Sequence, residues 1–253
     1  MSPPHLLIIK TGSSLQAAHQ AYGDFDQWFM RHLQPLHALH DVVQVHHNEP
    51  LPDVEGARAD YQAVIVTGSA AMVSHRHNWS EATAGWLANA HALDIPILGV
   101  CYGHQLLAHA LGGVVGPNPS GRRMGSYAVD IVDTSDPLLG DLAPQQWFQA
   151  THLERVLQPP ASARVIATVD ADPYHALHFG GRCWGLQFHP EFDEFIMRCY
   201  IDARQDVLRG EGLFPETLRE SLRATPAGPA VLCRFVELAC AQARQDKPYA
   251  VGA

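Results

Sequence analysis

Cys101 is the residue of this chain whose neighbours best prepare it for chemistry. It stands in Gly99-Val-Cys101-Tyr-Gly103, directly after the apolar run that begins at Ile95 and directly before His104-Gln-Leu-Leu-Ala-His-Ala-Leu111. The pattern reads as a short buried strand, a tight turn carrying the thiol, and a helix that starts at once. Glycines on both sides, spaced G-x-C-x-G, are what such a turn demands, because bulky neighbours would clash where strand and helix fold back. The turn lifts the sulfur above the sheet and sets it at the positive end of a helix. There the free N–H groups and the helix dipole favour thiolate over thiol. An isolated cysteine is usually a small buried hydrophobe. The paired glycines and the strand-to-helix switch point here to a nucleophile.

A thiolate nucleophile needs a base, and the base needs a group to orient it. The candidates lie in Cys183-Trp-Gly-Leu-Gln-Phe-His189-Pro-Glu191-Phe192. Trp184, Leu186 and Phe188 alternate with smaller or polar residues, the period of a strand. Pro190 stops ladder pairing between His189 and Glu191. Two residues apart in an extended segment, those side chains project to one side. The carboxylate can then accept the imidazole N–H and fix the tautomer. With sixteen histidines present, any one alone reads as a surface or satisfied residue; the His-Pro-Glu setting singles out His189.

Gly99-Val-Cys101-Tyr-Gly-His-Gln105 together with Gly185-Leu-Gln-Phe-His189-Pro-Glu191 resembles the class I glutamine amidotransferase family, including the amidotransferase part of GMP synthase and stand-alone relatives. The resemblance spans roughly residues 5 to 193. It implies a flavodoxin-like fold, Cys101 as nucleophile, His189 as general base and then acid, and Glu191 as orienter. Gln105 falls where the family contacts bound glutamine. The loop Thr67-Gly68-Ser69-Ala70, after the buried run Tyr61-Gln-Ala-Val-Ile-Val66, stands where the family provides backbone donors for the oxyanion; transferred here these are Gly68 or Ser69, together with Tyr102. Losing one such donor costs about 3–4 kcal/mol. Fused synthases carry Ser-Gly-Gly-Pro at this loop, and a backbone donor survives the change. Gly121-Arg-Arg-Met-Gly-Ser-Tyr127 departs from the family's Gly-Arg-Glu pattern, with Arg123 in place of the acid. Thr151-His152 resembles the segment that frames the glutamine pocket, which makes His152 a substrate-side candidate.

The elements that must position these residues suggest a doubly wound α/β fold: a mostly parallel sheet with helices on both faces. Strands are expected at His5–Lys10, Val42–His47, Tyr61–Thr67, Ile95–Val100, Tyr127–Val132, Arg164–Val169 and Cys183–Phe188. Helices are expected at Asp24–Leu33, Ser80–Leu93 and His104–Leu111, the last stopped by Gly112-Gly113. Thr67-Gly68, Cys101 and His189 then all sit at carboxyl ends of strands, where reactive groups gather in such sheets. Residues 1–192 are expected to form the amidotransferase-like domain. Residues 193–253 read as a helical extension packed on it, with helices at Asp193–Arg209, Pro215–Arg223 and Pro229–Gln245. The last carries an apolar stripe at Val231, Phe235, Leu238 and Cys240 or Ala241.

Composition sets the outer limits of the 253-residue chain. A net charge of −9 argues against nucleic-acid or anionic-membrane partners, which call for basic patches. No apolar run approaches a membrane span of about 20 residues, and the first residues show no leader pattern. Five scattered cysteines do not make a disulfide framework, so a reducing, cytoplasmic setting is expected. The pairs His46-His47, His75-x-His77 and His37-x-x-His40 lack zinc-ligand spacing, so neither a metal nor any other cofactor is expected. No Ser-Gly-Gly-x-Asp-Ser pyrophosphatase loop occurs, so ATP-driven use of ammonia falls to a synthase or acceptor enzyme in trans, or is absent. Three functions remain: glutamine hydrolysis with ammonia release, hydrolysis of γ-glutamyl conjugates by the same triad, or a non-catalytic regulatory role. The last fits poorly with an intact triad.

Overall fold

The strand β1 (His5–Lys10) is buried on both sides, with Leu6 in one apolar cluster and Leu7 and Ile9 in another. The same split divides Ala63 and Ile65 from Val64 and Val66 in β3 (Ala63–Val66), and Leu98 and Val100 from Ile97 in β4 (Ile97–Val100). Strands apolar in every position must be covered twice, which is the doubly wound arrangement. A computed structural model describes residues 3–245 and supplies that cover. Helices α2 (Phe25–Leu33) and α9 (Ala227–Gln245) lie on one face; α3 (Val54–Asp60), α4 (Asn78–Ala92) and α5 (Tyr102–Ala110) lie on the other. α2 begins on a reciprocal cap between Asp24 and Gln27.

Nine strands form the main sheet, in the order β2-β1-β3-β4-β11-β10-β9-β6-β7. The run from β2 (Leu39–Gln44) to β11 (Cys183–Leu186) is parallel throughout. Beyond β11 the sheet continues antiparallel through β10 (Asp172–Gly180), β9 (Arg164–Val169), β6 (Arg123–Ile131) and β7 (Gln145–His152). A separate ribbon pairs β5 (Val114–Pro117) with β8 (Glu154–Gln158). The strand expected at 42–47 instead spans Leu39–Gln44, because Asn48 takes a left-handed φ of 63° and closes Val45–His47 as a 3₁₀ turn.

A third apolar cluster joins α1 (Gln16–Tyr22) and Trp28 to α6 (Glu194–Ala203) and α7 (Gln205–Gly210), with α8 (Pro215–Glu220) alongside. The single helix expected over 193–209 breaks at Arg204, which adopts φ −115° and ψ 12° between α6 and α7. In α9 the buried stripe is Val231, Leu232, Phe235, Val236 and Ala239; Leu238 and Cys240 are half-buried and Ala241 is exposed. That is the wide stripe of a core-facing helix, broader than the one read from the sequence. No helix among the described residues is long and apolar enough to cross a membrane.

Candidate active site

β4 ends at Val100 and α5 starts at Tyr102, so Cys101 alone makes the turn. It does so at φ 52° and ψ −101°, a conformation that costs a side-chain-bearing residue on the order of 1–3 kcal/mol. Two hydrogen bonds hold it there: Cys101 N–H donates to the Leu186 carbonyl at 2.7 Å, and Gln105 N–H donates to the Cys101 carbonyl at 3.1 Å. The flanking glycines have a steric cause. A Cβ on Gly99 would lie 2.5 Å from the Gly103 carbonyl, and one on Gly103 would lie 2.4 Å from the Val66 oxygen. The thiol is 5% exposed and faces the Thr151 carbonyl at 3.6 Å.

Sheet register brings the histidine to it. β11 is the parallel neighbour of β4, with Leu186 opposite Val100, so the chain beyond each strand emerges on the same edge. His189 N–H donates to the Gln149 carbonyl at 2.8 Å, which pins the segment to β7. Its Nδ1 lies 2.7 Å from Glu191 Oε1, and an acceptor-only carboxylate there puts the ring proton on Nδ1. Nε2 is buried with no hydrogen-bond partner. Phe192 packs against the ring at 4.1 Å between centroids and Phe25 stacks at 6.4 Å. Burial alone would lower the pKa of His189, but the neighbouring Glu191 carboxylate and the Cys101 sulfur outweigh it and push it up. The imidazolium form of His189 is thus favoured where the ring lies between Glu191 and Cys101.

The third neighbouring strand, β3, delivers the loop after Val66. A Cβ on Gly68 would meet His189 Cε1 at 3.0 Å, so glycine is what lets imidazole and loop approach. The Gly68 carbonyl accepts from the Thr11 and Thr67 hydroxyls, both at 3.0 Å, and the Ser69 hydroxyl donates to the Thr11 carbonyl at 2.8 Å. The N–H groups of Gly68 and Ser69 have no protein acceptor among the described residues. The N–H of Tyr102, the first residue of α5, is one of the four orphan donors of a helix start.

Gln105 and His152 line the same cleft as Cys101 and His189. Gln105 Nε2 donates to the Glu154 carbonyl at 2.7 Å and to Gln187 Oε1 at 3.0 Å, which leaves its own carbonyl oxygen for a ligand. His152 Nδ1 donates to the Glu154 carbonyl at 2.9 Å, while its Nε2 is buried without a partner. Burial and the nearby His175 push its pKa down to about 3, so it is a neutral ring offering a lone pair. Arg123 turns away, over the Tyr127 ring and onto the Asp170 carbonyl. Arg122, from the Gly121-Arg-Arg segment, lines the cleft too; polar wall residues that the sequence did not single out include Glu154, Tyr200 and Arg204. Nothing local in the sequence marks them, since Tyr200 and Arg204 come from the extension and reach the cleft only through its packing.

Among the described residues, one group combines metal-ligand types: His152, Asp172 and His175, all buried. Asp172 already accepts from His175 Nδ1 at 2.9 Å, and Arg155 lies 3.7 Å from it. The carboxylate charge is thereby balanced by protein groups.

With this geometry established, comparison places the chain among known proteins. The family model for glutamine amidotransferase class-I matches residues 18–195. The GMP synthase of Clostridium novyi is 30% identical over 177 residues, which is 69% of this chain and 32% of that protein. A glutamine-hydrolyzing GMP synthase subunit from Haloarcula marismortui is 42% identical over 121 residues, or 42% of this chain and 62% of that protein. The chain thus spans less than two thirds of the length of either relative. A glutamine amidotransferase structure from Thermotoga maritima superposes with a TM-score of 0.74 at 19% identity, covering 94% of this chain and 99% of that one. One from Methylobacillus flagellatus gives 0.74 at 20% identity over 100% of both chains. At these identities the superpositions speak to the fold.

Proposed function

The chain belongs to the class I glutamine amidotransferase family, and from that premise we propose that it hydrolyses the side-chain amide of glutamine through a thioester on Cys101. The observation that carries this reading is the buried, unpartnered Nε2 of His189, tied through Nδ1 to Glu191 at 2.7 Å, in one cleft with a thiol carried on a left-handed turn.

In the proposed sequence the Cys101 thiolate attacks the amide carbon, and the carbonyl electrons move onto oxygen. That oxyanion meets the Tyr102 N–H and an N–H of Gly68 or Ser69, donors fixed before the reaction begins. His189, protonated at Nε2, gives that proton to the departing nitrogen; the C–N bond breaks and ammonia leaves. Water then enters, the now neutral Nε2 takes its proton, and hydroxide resolves the γ-glutamyl thioester to glutamate and free thiol. Glu191 holds the ring through Nδ1 and moves no proton. Gln105 and His152 would position the substrate. No metal or other cofactor enters any of these steps.

A second reading keeps the same triad and acts on γ-glutamyl conjugates. What favours it is that Tyr200 and Arg204 line the cleft yet lie beyond the segment matched by the family model, 18–195. As a glutamine hydrolase the chain would hand ammonia to a synthase or acceptor enzyme in trans, in a reducing, cytoplasmic setting. Relatives that are themselves single GMP synthase subunits, such as the Haloarcula protein, motivate that partner. The test is labelling with a glutamine-analogue electrophile followed by peptide mapping, beside assays of ammonia release from glutamine and of cleavage of γ-glutamyl amides. Label on Cys101 with ammonia release supports the first reading; cleavage of amides alone selects the second. Label elsewhere overturns both.

A further inference from the structure

Two guanidinium groups stand in the wall of the cleft, and only one is directly paired with a protein carboxylate. Arg122, its side chain 7% exposed, grips Glu211 with Nε at 2.6 Å and an Nη at 2.9 Å. The Arg204 side chain has no hydrogen bond or ion pair with any described residue, and its Nε is buried without a partner. It stands at the break between α6 and α7. Burial and the Arg122 cation lower its pKa, against weaker upward pulls from Tyr200 and Glu211. Holding a second guanidinium beside an already paired one is unfavourable unless something anionic completes the set. The same lining carries one acid, Glu154, whose Oε2 accepts the Ser74 N–H at 3.2 Å. The cleft therefore presents a thiol, one acid and a guanidinium with no directly bonded counter-charge to whatever enters.

We infer that Arg204, beside Arg122, forms a carboxylate subsite in the wall of the Cys101 cleft. A planar guanidinium fork matches a carboxylate in two parallel hydrogen bonds. The inference rests on the γ-glutamyl chemistry proposed for Cys101. Such a substrate carries its carboxylate in one of two places: on the α-carbon of the glutamyl part, or on the amine that leaves. The subsite makes Arg204 a specificity determinant contributed by the extension.

Binding to Cys101→Ala protein, which holds ligand without turning it over, separates these cases. Calorimetry is run with glutamine, glutamine α-amide, γ-glutamylmethylamide and γ-glutamylglycine, each against Cys101→Ala and against Cys101→Ala/Arg204→Gln. If the α-carboxylate is held, the second substitution weakens all but the α-amide by about 10- to 100-fold, the range for a charge-assisted hydrogen bond. If the leaving group is held, only γ-glutamylglycine weakens. Arg204→Lys, which keeps the charge and loses the fork, falls between. Unchanged affinities, an equal loss that includes the α-amide, or no binding by any of the four would overturn the subsite. A wild-type protein that binds these ligands through Arg204 yet never becomes labelled on Cys101 would sink the proposed chemistry and leave the subsite standing.

Discussion

Replacing Gly103 by alanine tests the claim that the elbow is built on close backbone contact. The new Cβ would sit 2.4 Å from the Val66 oxygen and 2.9 Å from Val66 Cβ, whereas ordinary contact begins at 3.4 Å. The obstacle is backbone of β3, an inner strand held between β1 and β4, so α5 must yield by about 1 Å. Overpacking of this kind costs about 1–3 kcal/mol, only partly offset by the 0.5–1 kcal/mol that alanine gains over glycine in a helix. Because Cys101 is the residue immediately before α5, the shift moves the sulfur relative to His189, and a 1 Å misplacement costs about 10²-fold in rate. Gly85, exposed in α4 with nothing within 4 Å of its would-be Cβ, is the control; alanine there should stabilise by about 0.5–1 kcal/mol without touching turnover. Thermal melts, in which 1 kcal/mol moves Tm by about 2–4 °C for a chain of this size, and glutamine hydrolysis rates read both effects. A Gly103→Ala protein with unchanged Tm and kcat would refute the steric account of the elbow.

Cys101→Ala should abolish ammonia release from glutamine, and Cys101→Ser should leave at most a trace, because a serine hydroxyl at this site lacks the thiolate's reactivity; retained release removes the thiol mechanism. Glu191→Gln keeps the volume but places an amide against His189 Nδ1, and kcat should fall between about 10²- and 10⁴-fold while protein remains labelled by the electrophile; a loss below about 10-fold would mean the imidazole is oriented by something else. Stability should drop in acid through two buried aspartates. Burial raises their pKa values, but Lys10 at 2.7 Å from Asp24 and His175 at 2.9 Å from Asp172 hold both at about 2, against 3.8 in the open chain. Depressed values stabilise above pH 3.8 and lose that contribution as pH falls through 2, about 2 kcal/mol each. Melts from pH 7 to 2.5 showing no fall in Tm would contradict this.

What could be read from the sequence follows from how each residue is covered. β1 and β9 match their expected bounds, His5–Lys10 and Arg164–Val169, and β3 and β4 differ only at their ends. β7 was hidden because Gln149 occupies a buried place, its amide donating to the Arg223 carbonyl at 2.9 Å and its oxygen accepting from Ser126 at 3.0 Å. A satisfied polar residue breaks the alternation by which strands are recognised. β10 was hidden by Pro173 and by His175, buried against Asp172. The helices α1 and α3, seven residues each, are too short to display a helical period. At the site, Cys101, His189 and Glu191 could be named because local geometry dictates their neighbours. Arg204 could not, since a helix break and the packing of residues 193–212 set its role.

The order of strands explains why these side chains meet. β3, β4 and β11 are consecutive and parallel, so three chain segments leave the sheet at one edge about 5 Å apart. The first carries the loop amides, the second the thiol and the third the imidazole. β11 is also where the sheet turns antiparallel, and this supplies what a purely parallel sheet would lack at that edge. Strand β7 runs the other way along β6, so its last residues reach the same cleft, with Thr151 facing the sulfur and Gln149 pinning His189. Cys101 is thus bounded by β3 and β4 on the side that presents donors and by β7, which after four antiparallel steps runs in the same sense as β4, on the side that presents carbonyls. Under the proposed reaction, these donors are where negative charge would develop and these carbonyls are where a substrate's N–H groups would lie. An insertion lengthening the turn between β6 and β7 should leave this arrangement intact, whereas a one-residue deletion within β7 should shift Gln149 out of register and free His189. That deletion also turns the buried Phe148 and Ala150 out of the core, so it is expected to lower both stability and hydrolysis while the insertion lowers neither, and a melt and a rate measured on each protein decide it.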